Sequence, residues 1–288
     1  MDLSDKDRLS VIDTASGAVI TEIDVDGFGL GNDVAVTPDG RHVYVTTLRH
    51  VTVVDIATNQ VVAKIRADNP FPSVNGVALA PDGREAYALV SHGGSPSGEV
   101  SVIDTASLTI TARITLPSDP SGVEITPDGR RAYVSFFDGS PVVINLATHT
   151  VDTLPFSRLD AMAITPDSKR AYVPLDGSEV LSVIDLATHK VTGFVFDITM
   201  MGPIRDVVIT PDGRRLYVAQ GGSKPSADHN VVVFDTTTHK VTCCPASWSA
   251  AQPQTMAIAA DGKRAYVTDR HRRAVFVVPV PESPPAPG

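Results

Sequence analysis

The sequence has little of what most functional classes need. Two cysteines occur in 288 residues, Cys243 and Cys244, side by side. Adjacent cysteines rarely form a disulfide without strain, and two thiols make no zinc cluster. Both read as ordinary strand residues. Basic residues are also short: 24 Lys and Arg against 33 Asp and Glu leave a net charge of −9. A nucleic-acid partner needs a basic footprint, so none is expected. No run of 18 apolar residues exists, so neither a membrane-spanning helix nor a membrane partner is expected. The stretch Met1-Asp2-Leu3-Ser4-Asp5-Lys6-Asp7 lacks the apolar core of a signal peptide. A cytoplasmic location is the default expectation, with export of a longer precursor left open. No 11-residue window carries a helical period. Nucleophile elbow, phosphate-binding glycine loop and zinc spacing are all missing, and the sequence names no cofactor.

What is present is a repeat. Thr37-Pro38-Asp39-Gly40, followed by Arg41-His42-Val43-Tyr44-Val45, recurs around Asp82, Asp128, Asp167, Asp212 and Asp261. Subtracting positions gives intervals of 39 to 49 residues. A tyrosine follows each Asp by five: Tyr44, Tyr87, Tyr133, Tyr172, Tyr217 and Tyr266, all six in the chain. Each copy reads as four strands. A short apolar run leads into x-Pro-Asp-Gly, which fits a type I turn with Pro second and Gly fourth. The tyrosine strand follows. A third strand ends in a group such as Val102-Ile103-Asp104-Thr105-Ala106, and a tight turn enters a fourth strand such as Val61 to Ile65. Runs of Val, Ile, Thr and Tyr bounded by turn residues are strand signals. One such sheet has two apolar faces and cannot bury them alone, whereas a ring of sheets can. The expected fold is an all-β propeller of four-stranded antiparallel blades, six favoured and seven the alternative.

The apolar fraction of 42% suffices for a core. All-β rings of this length fold as one domain, so residues 1–280 are read as one propeller. Residues 281–288, with four prolines in eight, are read as an extended tail. Six first strands set the blade number at six, yet third-strand copies number seven, the surplus lying near Asp13. The N-terminal strands are therefore expected to close the ring. The simplest arrangement pairs residues 18–24 onto the last blade beside Val275 to Val278 and removes an exposed sheet edge. Residues 9–13, the other arm of that hairpin, then either add a fifth strand or compete with Val275 to Val278 for its slot.

The copies VAVTPDGRHVYVTT, VEITPDGRRAYVSF and VVITPDGRRLYVAQ, with VIDTAS and VIDLATHKV, resemble the YVTN β-propeller repeat family. The resemblance runs from residue 8 to about 280. It implies a propeller, in a group that includes surface-layer and binding proteins and lactonase-like or cofactor-associated propellers. Many relatives form seven blades. The matching residues are turn and core residues, so the resemblance supplies no catalytic residue.

Candidate site residues lie where the chain departs from its own repeat. Strand alternation puts the Pro-Asp-Gly turns on one face. The connections entering first strands, and those between second and third strands, share the other, where propeller sites usually lie. The position six before each turn proline (or Ala260) is polar in every copy: Asn32, Asn75, Ser121, Asp160, Arg205 and Gln254. This row is expected to line the channel mouth. One residue later small side chains are the norm, and Asp33 and Asp206 break it. Glu124 is a carboxylate at an otherwise apolar inner-strand position. Burial would raise its pKa or demand a donor, which suits a general acid or base, and channel water or a neighbouring donor would satisfy it without any such role. Asp160 and Arg205 read either as an ion pair between blades or as ligand contacts. His271, within Asp269-Arg270-His271-Arg272-Arg273, suits an anion or is part of a solvated loop. No metal site is assigned.

Two functions follow. The first is a binding propeller that recognises a small molecule or a protein at the channel-mouth face through Asn32, Asp33, Asn75, Ser121, Arg205, Gln254 and His271. The alternative is a small-molecule enzyme of lyase, isomerase or lactonase type using Glu124, Asp160 and Asp206.

Overall fold

The computed structural model describes residues 8–25, 33–67, 72–92, 97–159, 161–175, 180–195, 203–221, 231–243, 253–269 and 274–279. Every regular element among them is a strand. The chain forms two compact units, Met1–Thr153 and Leu154–Gly288.

In the first unit, β1 (Arg8–Ile12) and β2 (Val19–Asp24) form a two-stranded sheet. Three four-stranded antiparallel sheets follow. Blade 1 holds β3 (Val34–Val36), β4 (His42–Thr46), β5 (His50–Asp55) and β6 (Gln60–Arg66). Blade 2 holds β7 (Pro72–Leu79), β8 (Glu85–His92), β9 (Gly98–Asp104) and β10 (Thr109–Thr115). Blade 3 holds β11 (Pro120–Ile125), β12 (Arg131–Phe136), β13 (Val142–Asn145) and β14 (Val151–Thr153). The second unit begins with blade 4: β15 (Ala163–Ile164), β16 (Arg170–Pro174), β17 (Leu181–Asp185) and β18 (Lys190–Val195). Blade 5 is β19 (Ile204–Ile209), β20 (Arg215–Gln220), β21 (Val231–Asp235) and β22 (Val241–Cys243). Among the described residues blade 6 holds β23 (Pro253–Ile258), β24 (Arg264–Asp269) and β25 (Ala274–Pro279).

Within the first unit β2 pairs with β1 along Val19–Asp24. The local cause is a tight turn: Gly17 N–H donates to Asp13 O at 2.8 Å, and Asp13 N–H donates to Ala18 O at 2.8 Å. Ile23 and Val25 then seat on Val54 of blade 1, and Thr52 Oγ1 donates to Val25 O at 3.2 Å.

Each Pro-Asp-Gly turn is built by its own side chains. Gly40 N–H donates to Thr37 O at 2.8 Å. Thr37 Oγ1 donates to Asp39 Oδ1 at 2.7 Å, and Asp39 Oδ1 also accepts from Arg41 N–H at 3.0 Å. Gly40 sits at φ +69°, a region costly for residues with a Cβ. The second turn type is an Asx turn. Asp55 Oδ1 accepts from Thr58 N–H at 2.8 Å and from Thr58 Oγ1 at 2.7 Å. The next residue is left-handed in every such turn described from blade 1 to blade 5: Asn59, Leu108, His149, His189 and His239. The shared place of the three histidines is thus a backbone requirement, which Asn, Asp and His tolerate best.

Blades adhere through the repeat itself. A Cβ built on Gly83 would meet Pro38 Cδ at 3.4 Å, and the same relation joins Gly129 to Pro81, Gly213 to Pro166 and Gly262 to Pro211. Five repeat tyrosines are fully buried, and Tyr266 in blade 6 is half-buried. Tyr172 shows what the hydroxyl does: it donates to Thr236 O at 3.3 Å, with His239 Nε2 at 3.4 Å, both in the next blade.

Candidate functional site

Four residues of the polar row read from the sequence fall on β-bulges. The β7–β8 register shifts between Val74 and Gly76, leaving Asn75 as the extra residue. Ser121 occupies the same place in blade 3 and Arg205 in blade 5. In blade 6 the shift spans Gln254 and Thr255. A bulge breaks the ladder, bends the strand and re-aims a side chain. It also strands backbone amides that need partners.

Those partners explain the two aspartates. Asp33 Oδ1 accepts from Val34 N–H at 2.8 Å, and Oδ2 accepts from Val77 N–H of blade 2 at 3.1 Å. Asp206 repeats this in the second unit. Its Oδ1 accepts from Val207 N–H at 2.8 Å and its Oδ2 from Met256 N–H of blade 6 at 2.6 Å. Each carboxylate clasps the bulged strand of the following blade. Asp33 is exposed as a residue, but its carboxylate is turned against the β7 backbone, with Oδ2 at 3.5 Å from a Cβ built on Gly76. Desolvation there raises its pKa, opposed by the Val77 and Val34 amides. Thr46 Oγ1 accepts from Asp33 N–H at 3.0 Å at the start of blade 1, and Thr268 Oγ1 accepts from Thr255 N–H at 3.1 Å in blade 6. These hydroxyls lie two residues after the repeat tyrosine, a spacing present in the sequence but not singled out there.

Asn75 is buried and fully engaged. Its Nδ2 donates to Ser91 Oγ at 2.7 Å and to Pro120 O of blade 3 at 2.9 Å, while Oδ1 accepts from Ser73 Oγ at 2.8 Å. Ser121, half-buried, lies 3.1 Å from Ser135 Oγ. The first unit therefore links Asp33, Asn75 and Ser121 through successive bulges. In the second unit Asp206 reaches the backbone two residues beyond Gln254. Gln254 Nε2 donates to Pro253 O at 3.4 Å. Arg205 is exposed, and its Nε lies 2.6 Å from a Cβ built on Gly221, so the guanidinium rests where only glycine leaves room.

Glu124 is exposed on β11, opposite Tyr133 in the ladder. Asn32, Asp160 and His271 lie outside the described residues.

One cluster was missed. Glu99 Oε2 stands 3.5 Å from His92 Nε2, and its Oε1 stands 3.4 Å from Arg113 Nε and accepts from Ser101 Oγ at 2.8 Å. Their alignment across β8, β9 and β10 follows from the ladder register, which separate loop readings do not reveal. Among the described residues no group of three His, Cys, Asp or Glu side chains suits a metal ion. Among the described residues no helix is long and apolar enough to cross a membrane.

Successive antiparallel meanders with bulged first strands define an all-β chain of the β-propeller class. Among solved structures the chain is similar to Kuenenia stuttgartiensis hydrazine synthase, with 24% identity, a TM-score of 0.68, and coverage of 86% of this chain and 76% of that one. In all, 1592 chains of solved structures match, so the likeness identifies a fold and not an activity. No family model matches the sequence, and no curated protein matches it.

Proposed function

We propose that this chain is a binding propeller of the YVTN-repeat type, recognising a small molecule or protein at the face that carries the bulged ends of the first strands. One observation carries the reading. Both oxygens of Asp33 and both oxygens of Asp206 accept backbone N–H bonds, so two of the acids best placed for chemistry hold blades together. A proton shuttle would have to break those bonds at each turnover. The exposed Arg205 guanidinium supplies a fork for a carboxylate or phosphate, with Gln254 on the neighbouring bulge.

The alternative, a lyase, isomerase or lactonase, rests on Glu124, the exposed acid of the inner strands. Two measurements decide between them. Thermal-shift screening with small carboxylates and phosphates is expected to find ligands whose shift falls in Arg205→Ala, with binding weakened by about 1.5–3 kcal/mol. A panel of lactones followed by NMR is expected to show no turnover above buffer. Turnover that disappears in Glu124→Gln would overturn the reading in favour of an enzyme.

A further inference from the structure

The bulge of β7 places an asparagine and a glycine side by side for separate reasons. Gly76 is set by packing: a Cβ there would meet Leu89 Cδ1 at 3.1 Å and Asp33 Oδ2 at 3.5 Å. Asn75 is set by its amide. Nδ2 donates at once to Ser91 Oγ of β8 at 2.7 Å and to Pro120 O of β11 at 2.9 Å, and Oδ1 accepts from Ser73 Oγ at 2.8 Å. Pro120 is fixed in turn, since its Cδ lies where Gly98 alone leaves room. An ionised carboxylate could make neither of the donated bonds. The fold thus calls for asparagine followed by glycine, chemically the least durable pair for an amide side chain. With no side chain of its own in the way, the glycine nitrogen easily reaches the asparagine Cγ. Of the six asparagines, only Asn75 precedes a glycine.

We propose that Asn75 is a deamidation site whose conversion unlocks blade 2 from blade 3. The backbone nitrogen of Gly76 gives up its proton and bonds to Asn75 Cγ. The Cγ–Nδ2 bond breaks, and Nδ2 takes a proton and leaves as ammonia. Water then opens the cyclic imide at either carbonyl, leaving aspartate or isoaspartate. Nothing is oxidised or reduced, and water is the only co-reactant. In the closed seam the leaving nitrogen is held by Ser91 and Pro120, so the ring forms only when Asn75 has left both. Local openings of this kind occur in folded proteins at a fraction of the cost of global unfolding. The product does not close again as before. Its carboxylate faces Pro120 O with no N–H to give, which leaves buried acceptors opposed. Asp33, bound to the Val77 amide at 3.1 Å, adds a like charge nearby. Isoaspartate also inserts an extra carbon into the main chain of β7, shifting Val77 and Leu79 from their partners Ala88 and Ala86. The modification therefore accumulates with the time the seam spends open.

The test incubates the full chain at mildly alkaline pH and maps peptide masses over time. Loss of the amide raises the mass of the peptide holding Asn75, whereas isomerisation at the Asp-Gly pairs of the turns leaves mass unchanged. Conversion at Asn75 is expected in the folded chain, at least about tenfold slower than in a synthetic peptide copying residues 72–79. An opening that costs about 1.4 kcal/mol already sets that factor. Urea below the unfolding transition, and Asp33→Ala, which releases the Val77 amide, are each expected to speed conversion. The converted fraction, separated by its added charge, is expected to melt lower than the parent and to exchange amide hydrogens faster in β7 and β11. Asn75→Asp is expected to reproduce both changes. Should that variant fail to fold, the converted fraction of the parent protein still decides. Conversion as fast as in the peptide, conversion unmoved by urea, no conversion in the folded chain, or a converted fraction as stable as the parent would overturn the proposal.

Discussion

Asp206 reaches across 50 residues of chain to hold the backbone amide of Met256 at 2.6 Å. Asp33 stands in the same relation to Val77, 44 residues on, at 3.1 Å. Two independent copies of one clasp, each beside a bulge, indicate a device for joining blades.

Asp33→Ala and Asp206→Ala should each lower stability by about 1–3 kcal/mol, the cost of leaving buried amides without an acceptor. Asparagine at either place keeps an acceptor and should cost less. Urea titration of the four variants checks this, and equal losses for alanine and asparagine would count against the clasp.

The Pro-Asp-Gly turn needs a left-handed fourth residue. Blade 4 has Ser168 there, at φ +58°. Ser168→Gly should gain up to about 1 kcal/mol, because the Cβ penalty is removed and only part of it returns as chain entropy. Gly213→Ala should cost about 1–2 kcal/mol, since its Cβ would also meet Pro166 Cδ at 3.1 Å. Opposite signs in thermal melts are the expected result.

Tyr133 is 2% exposed, whereas Tyr266 is half-buried. Tyr133→Ala should cost about 3–5 kcal/mol, as for other aromatic truncations in cores. Tyr266→Ala should cost clearly less. Denaturant midpoints for the pair would show whether burial ranks them.

Tyr44 has no hydrogen-bond partner for its buried hydroxyl among the described residues, and burial with the nearby Asp104 charge pushes its pKa up to about 12. Tyr172, in the corresponding place, has His239, where blade 2 has Leu108. Leu108→His should supply the missing partner and better tolerate φ +56°, raising stability by about 1 kcal/mol. A fall in melting temperature would mean that the apolar contacts of Leu108 outweigh both gains.

The turn acids set the response to pH. Threonine hydroxyls hold the Asp39, Asp55, Asp167 and Asp185 carboxyls below their ordinary range. A lowered folded-state pKa stabilises above the unfolded value of about 3.9 and is lost as pH falls through the folded value. Melting temperature should therefore drop as pH goes from about 5 toward 2, and less steeply in a Thr37→Val, Thr165→Val variant.

The turns and the tyrosine burial were legible because they repeat with a fixed offset, and physics demands the same residue each time. So was the polar row, since a bulge residue stands outside the apolar alternation. Its meaning was not legible. The bonds of Asn75 and Asp33 run to Ser91, Pro120 and the Val77 amide, whose positions depend on strand register and on neighbouring blades. Glu124 sits where the repeat is apolar, yet whether that position is buried depends on solvent access, which the pattern does not encode.

The stacking of Pro38, Pro81, Pro166 and Pro211 on the glycine of the following turn has an evolutionary consequence. Both halves of the contact lie in one short motif, the proline facing forward and the glycine backward. A gene segment duplicated in tandem thus arrives carrying the two complementary surfaces it needs to join its parent. Lengthening such a chain by whole units requires no coordinated second change, whereas loss of one proline weakens a seam that its neighbour cannot repair.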